Sequence, residues 1–301
     1  MTLHVLPSDT WSPSRRRFFA WAGLAGATIA VGGLRGDESK ATRIALLSDT
    51  HIDADKTKVS RDVNMSDHLT QAWQGVTAAA ARLQAAILHG DIAHLRGELA
   101  DYRQVAQLLM PTGKAAVPLH FLMGNHDRRD TFREVLRTSS ASLLDSHHVS
   151  ILETPHANWF LLDSLEATNK TPGLIGEAQL KWLTAALDAK ADKPAIVSVH
   201  HHPQWEGEKI NGIQDTRPLF EILVPRKHVK AVVYGHTHNW NLKVHEGIHL
   251  VNLPAVAYVF AKDKPSGWVE AAVSGTGMEL TLHGVGPANA EHGKKVELTW
   301  R

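Results

Sequence analysis

The sequence predicts an α/β fold in which a largely parallel β-sheet meets a second, more antiparallel one. Three observations carry this. Strand-like apolar runs alternate with helix-spaced segments through the first two thirds of the chain, and beyond Asn239 the patterning becomes strand-only. In addition, five apolar runs break off into short clusters of Asp, Asn and His: ALLSDTHID, AAILHGDIAH, PLHFLMGNHD, AIVSVHHHP and AVVYGHTH. Runs of four to six apolar residues that open into Gly or polar residues are buried strands entering loops, and open α/β sheets gather functional groups at such strand ends.

Taken in order, residues 44–48 form the first strand. A polar loop through Ser66 and a helix with Leu69, Trp73, Val76 and Leu83 on one face follow it. Residues 86–89 form the second strand, Leu99, Tyr102, Val105, Ala106 and Leu109 keep helical spacing, and residues 119–123 form the third. This βαβαβ start requires right-handed crossovers and neighbouring parallel strands. Short strands at 149–152 and 159–163 precede a helix at 177–187 and the last two clusters. Segments near 241–245, 248–252, 268–273 and 279–283 then predict the second, more antiparallel sheet, packed on the first. With no repeat and no further linker after residues 33–40, residues 41–301 read as one catalytic domain.

Composition narrows the function. The 301 residues carry 32 Lys and Arg against 31 Asp and Glu, a net charge of +1, which disfavours nucleic acid and acidic membranes as partners. There are 20 His and no Cys, so thiolate metal sites are excluded while imidazole and carboxylate ligands abound. At the start of the chain, Ser14-Arg15-Arg16-Arg17-Phe18-Phe19 and the Ala- and Gly-rich stretch to Leu34 resemble a twin-arginine export signal. The resemblance implies that residues 1–36 are signal and linker, that the export machinery is a partner, and that the protein works in the periplasm or another extracytoplasmic space. An uncleaved signal would leave it anchored to the membrane.

The clusters read as one dinuclear metal site. Asp49 and His51 stand at i and i+2, as do His236 and His238, and on extended backbone such pairs share a face. Asp91, Asn125 and one histidine of His200, His201 and His202 supply the remaining donors. Carboxylate, amide and imidazole donors suit Mn, Fe, Zn or Co. Two such ions about 4 Å apart can clamp the attacking and leaving oxygens of a phosphoryl displacement.

The ordered set DxH, GDxx, GNHD, HxP and GHxH, spanning Asp49 to His238, resembles the calcineurin-like metallophosphoesterase superfamily. Each block alone is weak; all five in order are specific. The resemblance implies a four-layer αββα sandwich of two mixed sheets flanked by helices. It implies that Asp49, His51 and His238 hold one metal, Asn125, His201 and His236 the other, and that Asp91 bridges them, with a hydroxide between the ions attacking phosphorus in line. His201 is chosen because the family's ligand lies two residues before the proline, here Pro203; strand alternation then turns His200 and His202 away. His126 takes the place of the histidine that contacts the phosphoryl oxygens or the leaving group, and Asp127 is expected to orient it.

Other residues weigh less. His89 and His94 read as structural, Trp205 and Trp240 as packing residues before pocket walls, and Arg96 and Arg128 as solvated as readily as phosphate-gripping. Loops 54–66 and 204–216 leave the metal-bearing strand ends and are the expected specificity elements. GDIAHLRGELADYRQV with GNHD and HHP is most similar to class III cyclic-nucleotide and glycerophosphodiester phosphodiesterases. His94, Leu95 and Asp127 depart from the GDxxDRG and GNHE of protein serine/threonine phosphatases, and the first cluster lacks the Tyr of purple acid phosphatases. The expected function is therefore metal-dependent hydrolysis of a small phosphodiester. A phosphomonoesterase is the alternative, and a non-catalytic anchored metal-binding protein is a third reading, opposed by the presence of both His126 and Asp127.

Overall fold

A computed structural model of the chain describes residues 41–136, 144–207, 209–286 and 291–301. The export signal read in residues 1–36 lies outside these. Among the described residues no helix is long and apolar enough to cross a membrane.

The elements run β1 (Thr42–Leu47), β2 (Val59–Ser60), β3 (Val63–Asn64), α1 (Met65–Ala78), β4 (Ala85–His89), α2 (Leu99–Leu109), β5 (Leu119–Leu122) and α3 (Arg129–Val135). They continue with β6 (Ser150–Glu153), β7 (Asn158–Leu161), α4 (Glu177–Ala189), β8 (Ala195–Ser198), α5 (Thr216–Leu223) and β9 (Val229–Tyr234). The chain ends in β10 (Asn241–His245), β11 (Ile248–Asn252), β12 (Gly267–Val273), β13 (Gly277–Gly284) and β14 (Lys295–Thr299).

Two six-stranded mixed sheets result, ordered β14-β13-β12-β1-β4-β5 and β10-β11-β9-β8-β7-β6. In the first, β1, β4 and β5 are parallel and β12, β13 and β14 extend it antiparallel. In the second, β7, β8, β9 and β11 are parallel, with β6 and β10 antiparallel at its edges. The two-residue period of a strand builds the layers. Ala45 and Leu47 of β1 and Ala86 and Leu88 of β4 pack with α1, α2 and α3. Their alternates Ile44, Leu46, Ala85 and Ile87 meet Trp159, Ile196, Ala231 and Val233 between the sheets. On the far side Phe160, Val197 and Val232 pack under α4 and α5 against Leu183, Leu187, Leu219 and Phe220. Helix–sheet–sheet–helix is thus the four-layer sandwich expected of the family.

One expectation changes. The strands after Asn239 do not form a sheet of their own: β10 and β11 continue the sheet of β9, whereas β12 crosses to pair with β1. The reason is backbone accounting. β1 is buried on both faces and has β4 on one edge only, so its other row of N–H and C=O groups needs a partner, which β12 supplies. The β2–β3 hairpin, α3 and α5 were not anticipated, because strands of two residues and helices of seven or eight show too little periodicity to read.

Candidate metal centre

The five clusters converge where the carboxyl ends of β1, β4, β5, β8 and β9 meet. Convergence does not come from strand alternation. β1 ends at Leu47 and β9 at Tyr234, and Asp49 (φ 52°), His51 (47°), Asp91 (46°), His236 (68°) and His238 (51°) all adopt left-handed backbone beyond the strands. Such φ values are uncommon outside glycine, and a group of them at one place marks a functional site. Interlocking amides hold them: His51 N–H donates to Asp91 O (2.9 Å), Gly235 N–H to His200 O (3.0 Å) and Ala257 N–H to Asp49 O (3.1 Å). Two glycines permit the approach. A Cβ on Gly124 would fall on the Asp91 amide and carboxylate, and one on Gly235 would fall on the Ser48 hydroxyl.

Around one position stand Asp49, His51 and His238: the two Nε2 atoms are 3.0 Å apart, and Asp49 Oδ1 is 3.4 Å from His238 Nε2 and 4.0 Å from His51 Nε2. Around the other, His200 Nε2 lies 3.3 Å from His236 Nδ1 and 3.4 Å from Asp91 Oδ2. Asp91 Oδ2 is also 3.8 Å from His51 Nε2, so this carboxylate sits between the two groups. Asn125 is buried beside them with its Oδ1 unpaired. Three imidazoles are held from behind by carbonyls: His238 Nδ1–H donates to Tyr258 O (2.5 Å), His236 Nε2–H to Asn211 O (2.8 Å) and His200 Nδ1–H to His89 O (2.7 Å). A ring anchored by one nitrogen with the other turned inward is how metal-binding histidines are oriented.

One expectation is widened and one is corrected. His201 has its Nδ1 paired with Ser164 Oγ at 2.7 Å and its ring against Gly173, while its Nε2 is buried without a hydrogen-bond partner, as a ligand atom left for an ion would be. Ring nitrogens of His200, His201 and His236, one from each, lie within 4.8 Å of one another, so His201 keeps its place among the candidate ligands and His200 joins it. Alternation does not turn His200 away because β8 stops at Ser198, so residues 200–202 are not strand, and the Gly235 amide fixes His200 beside β9. His201 still borders the centre, its ring centroid 4.6 Å from that of His236. His202 stacks on His236 at 5.6 Å.

The second concerns Asp127, which does not touch His126. Its carboxylate is fully buried and accepts from the amides of Gly124 (2.9 Å), Ile92 (3.1 Å) and Ala93 (3.1 Å) and from Tyr102 Oη (3.0 Å). It ties the Asp91 loop to the Asn125 loop. His126 is oriented by donating its Nδ1–H to Leu95 O at 2.9 Å, which leaves Nε2 for the cavity.

Of the remaining residues, His89 bonds Leu47 O and Ser198 Oγ, and His94 pairs with Asp53 at 3.1 Å. Arg96 is exposed and Arg128 is bidentate with Asp130. Trp205 packs on Phe220 and His245, and Trp240 joins the layer between the sheets, so neither walls the site.

A cavity of about 370 Å³ opens on the centre, lined by His51, Asp91, Asn125, His126, His236 and His238 and walled by Thr171, His202, Asn211, Thr237, Tyr258 and Phe260. Tyr258 stacks on His51 at 5.1 Å and Phe260 on His238 at 4.4 Å. These aromatics were missed because VAYVFA (residues 256–261) reads as an ordinary apolar run; its position between strands was the available signal.

The donor set fits metal ions. Burial opposes charge on Asp49 and Asp91, yet His238 and His200 outweigh it and hold both carboxyls well below their usual range. Burial lowers His200, but Asp91 and Asp49 more than reverse this and raise it to about 9, which shows how strongly the centre attracts positive charge. Burial pushes His51 and His236 down to about 3, leaving neutral imidazoles able to coordinate. Asp49 Oδ1 and Asn125 Oδ1 are buried without hydrogen-bond partners, a costly state unless a cation satisfies them.

Comparison with known proteins decides the family: residues 42–240 match the one described as Calcineurin-like phosphoesterase. The chain belongs to it. This phosphoesterase is a hydrolase of phosphoester bonds built around metal-binding Asp and His clusters. It is 26% identical over 218 residues to the 3',5'-cyclic adenosine monophosphate phosphodiesterase CpdA of Pseudomonas aeruginosa, covering 71% of this chain and 76% of that one. With the protein of the same name from Vibrio vulnificus it shares 26% over 249 residues, 81% of this chain and 86% of the other. Among solved structures, a dimetal phosphatase from Danio rerio superposes with a TM-score of 0.68 at 16% identity, covering 87% of this chain and all of that one, which shows a common fold.

Proposed function

We propose that this phosphoesterase is a dinuclear phosphodiesterase of small diesters, with 3',5'-cyclic nucleotides as the leading substrate class. Asp49, His51 and His238 hold one ion and Asn125, His236 and the His200–His201 pair the other, with Asp91 shared; Mn, Fe, Zn and Co are the candidate metals. The observation that carries the reading is the pair of buried, unpaired oxygens, Asp49 Oδ1 and Asn125 Oδ1, in a centre of inward-facing imidazole nitrogens. When bound, the ions would draw charge from the phosphoryl oxygens and acidify a water for attack on phosphorus. His126, anchored through Leu95 O, presents Nε2 to the cavity, where it holds a proton for the leaving oxygen. Preference for a diester rests on the phosphodiesterase names of the relatives and on the cavity lining, where among the described residues no Lys or Arg stands to neutralise the second charge of a monoester, Arg61 lying over the aromatic rim.

The test is hydrolysis of bis-p-nitrophenyl phosphate, p-nitrophenyl phosphate and 3',5'-cyclic AMP by protein reconstituted separately with Mn, Zn, Co and Fe. Diester turnover should exceed monoester turnover, and Asp91→Ala should lose metal as well as rate. Faster monoester turnover would make the protein a phosphatase. No hydrolysis with any metal would refute the enzyme reading.

We also propose export by the twin-arginine route, supported by the Ser14 to Phe19 pattern. An Arg15→Lys, Arg16→Lys double variant should remain in the cytoplasm; unchanged fractionation would overturn this.

A further inference from the structure

Loop 54–66 closes in the β2–β3 hairpin, whose two-residue turn is Arg61-Asp62, both left-handed (φ 50° and 66°). That is the geometry of a tight hairpin turn. The hairpin carries the Arg61 guanidinium over the cavity wall, its carbon 4.8 Å from the Phe260 ring centroid and 5.9 Å from that of Tyr258. The two aromatic rings in turn stack on His238 and His51. Phe260 therefore sits in register with the metal centre, yet it is 56% exposed, one of few large apolar side chains so open among the described residues. Arg61 forms no ion pair among the described residues and is itself exposed.

An exposed Phe at the rim of a polar cavity is unfavourable for the free protein and gains from being covered. Its neighbours set what can cover it. Phe260 is held by His238 and overlaid by Arg61, so its orientation is fixed before anything binds. Arginine stacks on planar π-systems and also offers edge N–H donors to ring nitrogens and carbonyl oxygens. A flat heteroaromatic group satisfies the ring and the guanidinium together; an alkyl group or a second phosphate would satisfy only one of them.

From this arrangement we propose that Arg61 and Phe260 form the subsite for the non-reacting, planar heteroaromatic part of the substrate, a nucleobase, with Tyr258 as its floor. The proposal rests on the phosphodiesterase reading and gives its substrate class a structural seat. It also explains why the recognition element comes from a hairpin outside the five metal-bearing clusters.

The experiment uses the full metal-loaded chain and compares Phe260→Ala, Phe260→Trp and Arg61→Met with wild type on 3',5'-cyclic AMP and on glycerophosphoethanolamine, a diester without an aromatic group. Inhibition by adenosine 5'-monophosphate and by inorganic phosphate is measured alongside, together with bound metal. Stacking of one base contributes enough that Phe260→Ala should raise KM for cyclic AMP and the inhibition constant of the nucleotide about tenfold, with kcat changed less than twofold. KM for glycerophosphoethanolamine, inhibition by phosphate and metal content should stay within about twofold of wild type. Phe260→Trp should preserve nucleotide binding, and Arg61→Met should weaken it less than Phe260→Ala does. Equal weakening of aromatic and non-aromatic compounds, or none, would overturn the subsite. Wild type that hydrolyses no diester but still binds the nucleotide tenfold better than Phe260→Ala would instead refute the phosphodiesterase reading and leave the subsite standing.

Discussion

Asp127 and His126 are neighbours in sequence with different work, and the difference is measurable. Asp127 accepts three backbone amides and a tyrosine hydroxyl in a site with no access to water. Burial, with Asp91 adding, pushes its carboxyl up to about 6, while the amides of Gly124, Ala93 and Ile92 pull the other way. An Asn at this position keeps the size but replaces one acceptor oxygen with an NH2 facing donors, leaving buried amides unpaired. Asp127→Asn should therefore cost about 3 kcal/mol of stability and loosen the Asp91 and Asn125 loops together, so that metal content falls. His126→Ala removes a side chain that donates to one carbonyl and otherwise faces the cavity. It should keep metal and stability and lose about 100-fold or more in kcat. Metal analysis and thermal melts of the two variants separate the roles. If Asp127→Asn kept full metal and stability, Asp127 would not be what ties the Asp91 and Asn125 loops together.

At the level of elements, the loop after β8 shows how a segment without secondary structure is made specific. Gln204 uses its whole amide: Oε1 accepts from the amides of Asn211 and Gly212, both at 2.9 Å, and Nε2 donates to Glu206 O (3.2 Å) and Lys209 O (3.1 Å). One side chain thus frames the turn that presents Asn211 O to His236 Nε2. Gln204→Ala should weaken binding of the second ion about tenfold, the scale of groups that orient metal ligands, while the ion at Asp49, His51 and His238 stays. Calorimetric metal titration should then show two sites of unequal affinity; two unchanged sites would exclude the coupling. Nothing in GEKINGIQ announces this, because the information lies in side chain to main chain bonds. The same limit explains what else the sequence hid. The strands and long helices were legible from periodicity, and so were the Asp49, His51, Asp91, Asn125, His236 and His238 clusters at their ends. The entry of His200 beside His201 was not, since it depends on where β8 stops pairing. The Arg61 hairpin was equally hidden, since two-residue strands leave no period to detect.

For the molecule as a whole, three apolar layers hold the two sheets and their helices together, and titratable groups trapped in them tie stability to pH. His148, 6% exposed, lies with its ring 5.0 Å from Phe132 under α3. Burial lowers it from 6.5 to about 4; Asp163 opposes this, and Arg133, Arg129 and His120 add to it. The folded state therefore refuses a proton that the unfolded chain accepts below about pH 6.5. By linkage, the stability from keeping His148 neutral is complete above pH 6.5, declines as pH falls toward 4, and changes no further below that. The shift corresponds to a loss of about 2 kcal/mol by pH 4.5. His89, fully buried and likewise lowered to about 4 by burial, acts with the same sign. The measurement is urea unfolding of metal-stripped wild type and His148→Gln at pH 7.5, 6.5, 5.5 and 4.5, with chelator present so that loss of ions does not contribute. Whatever its stability at pH 7.5, the variant should lose about 2 kcal/mol less than wild type between pH 6.5 and 4.5. Parallel curves would show that His148 is protonated in the folded protein, and that the charge of Asp163, rather than burial, governs this part of the layer.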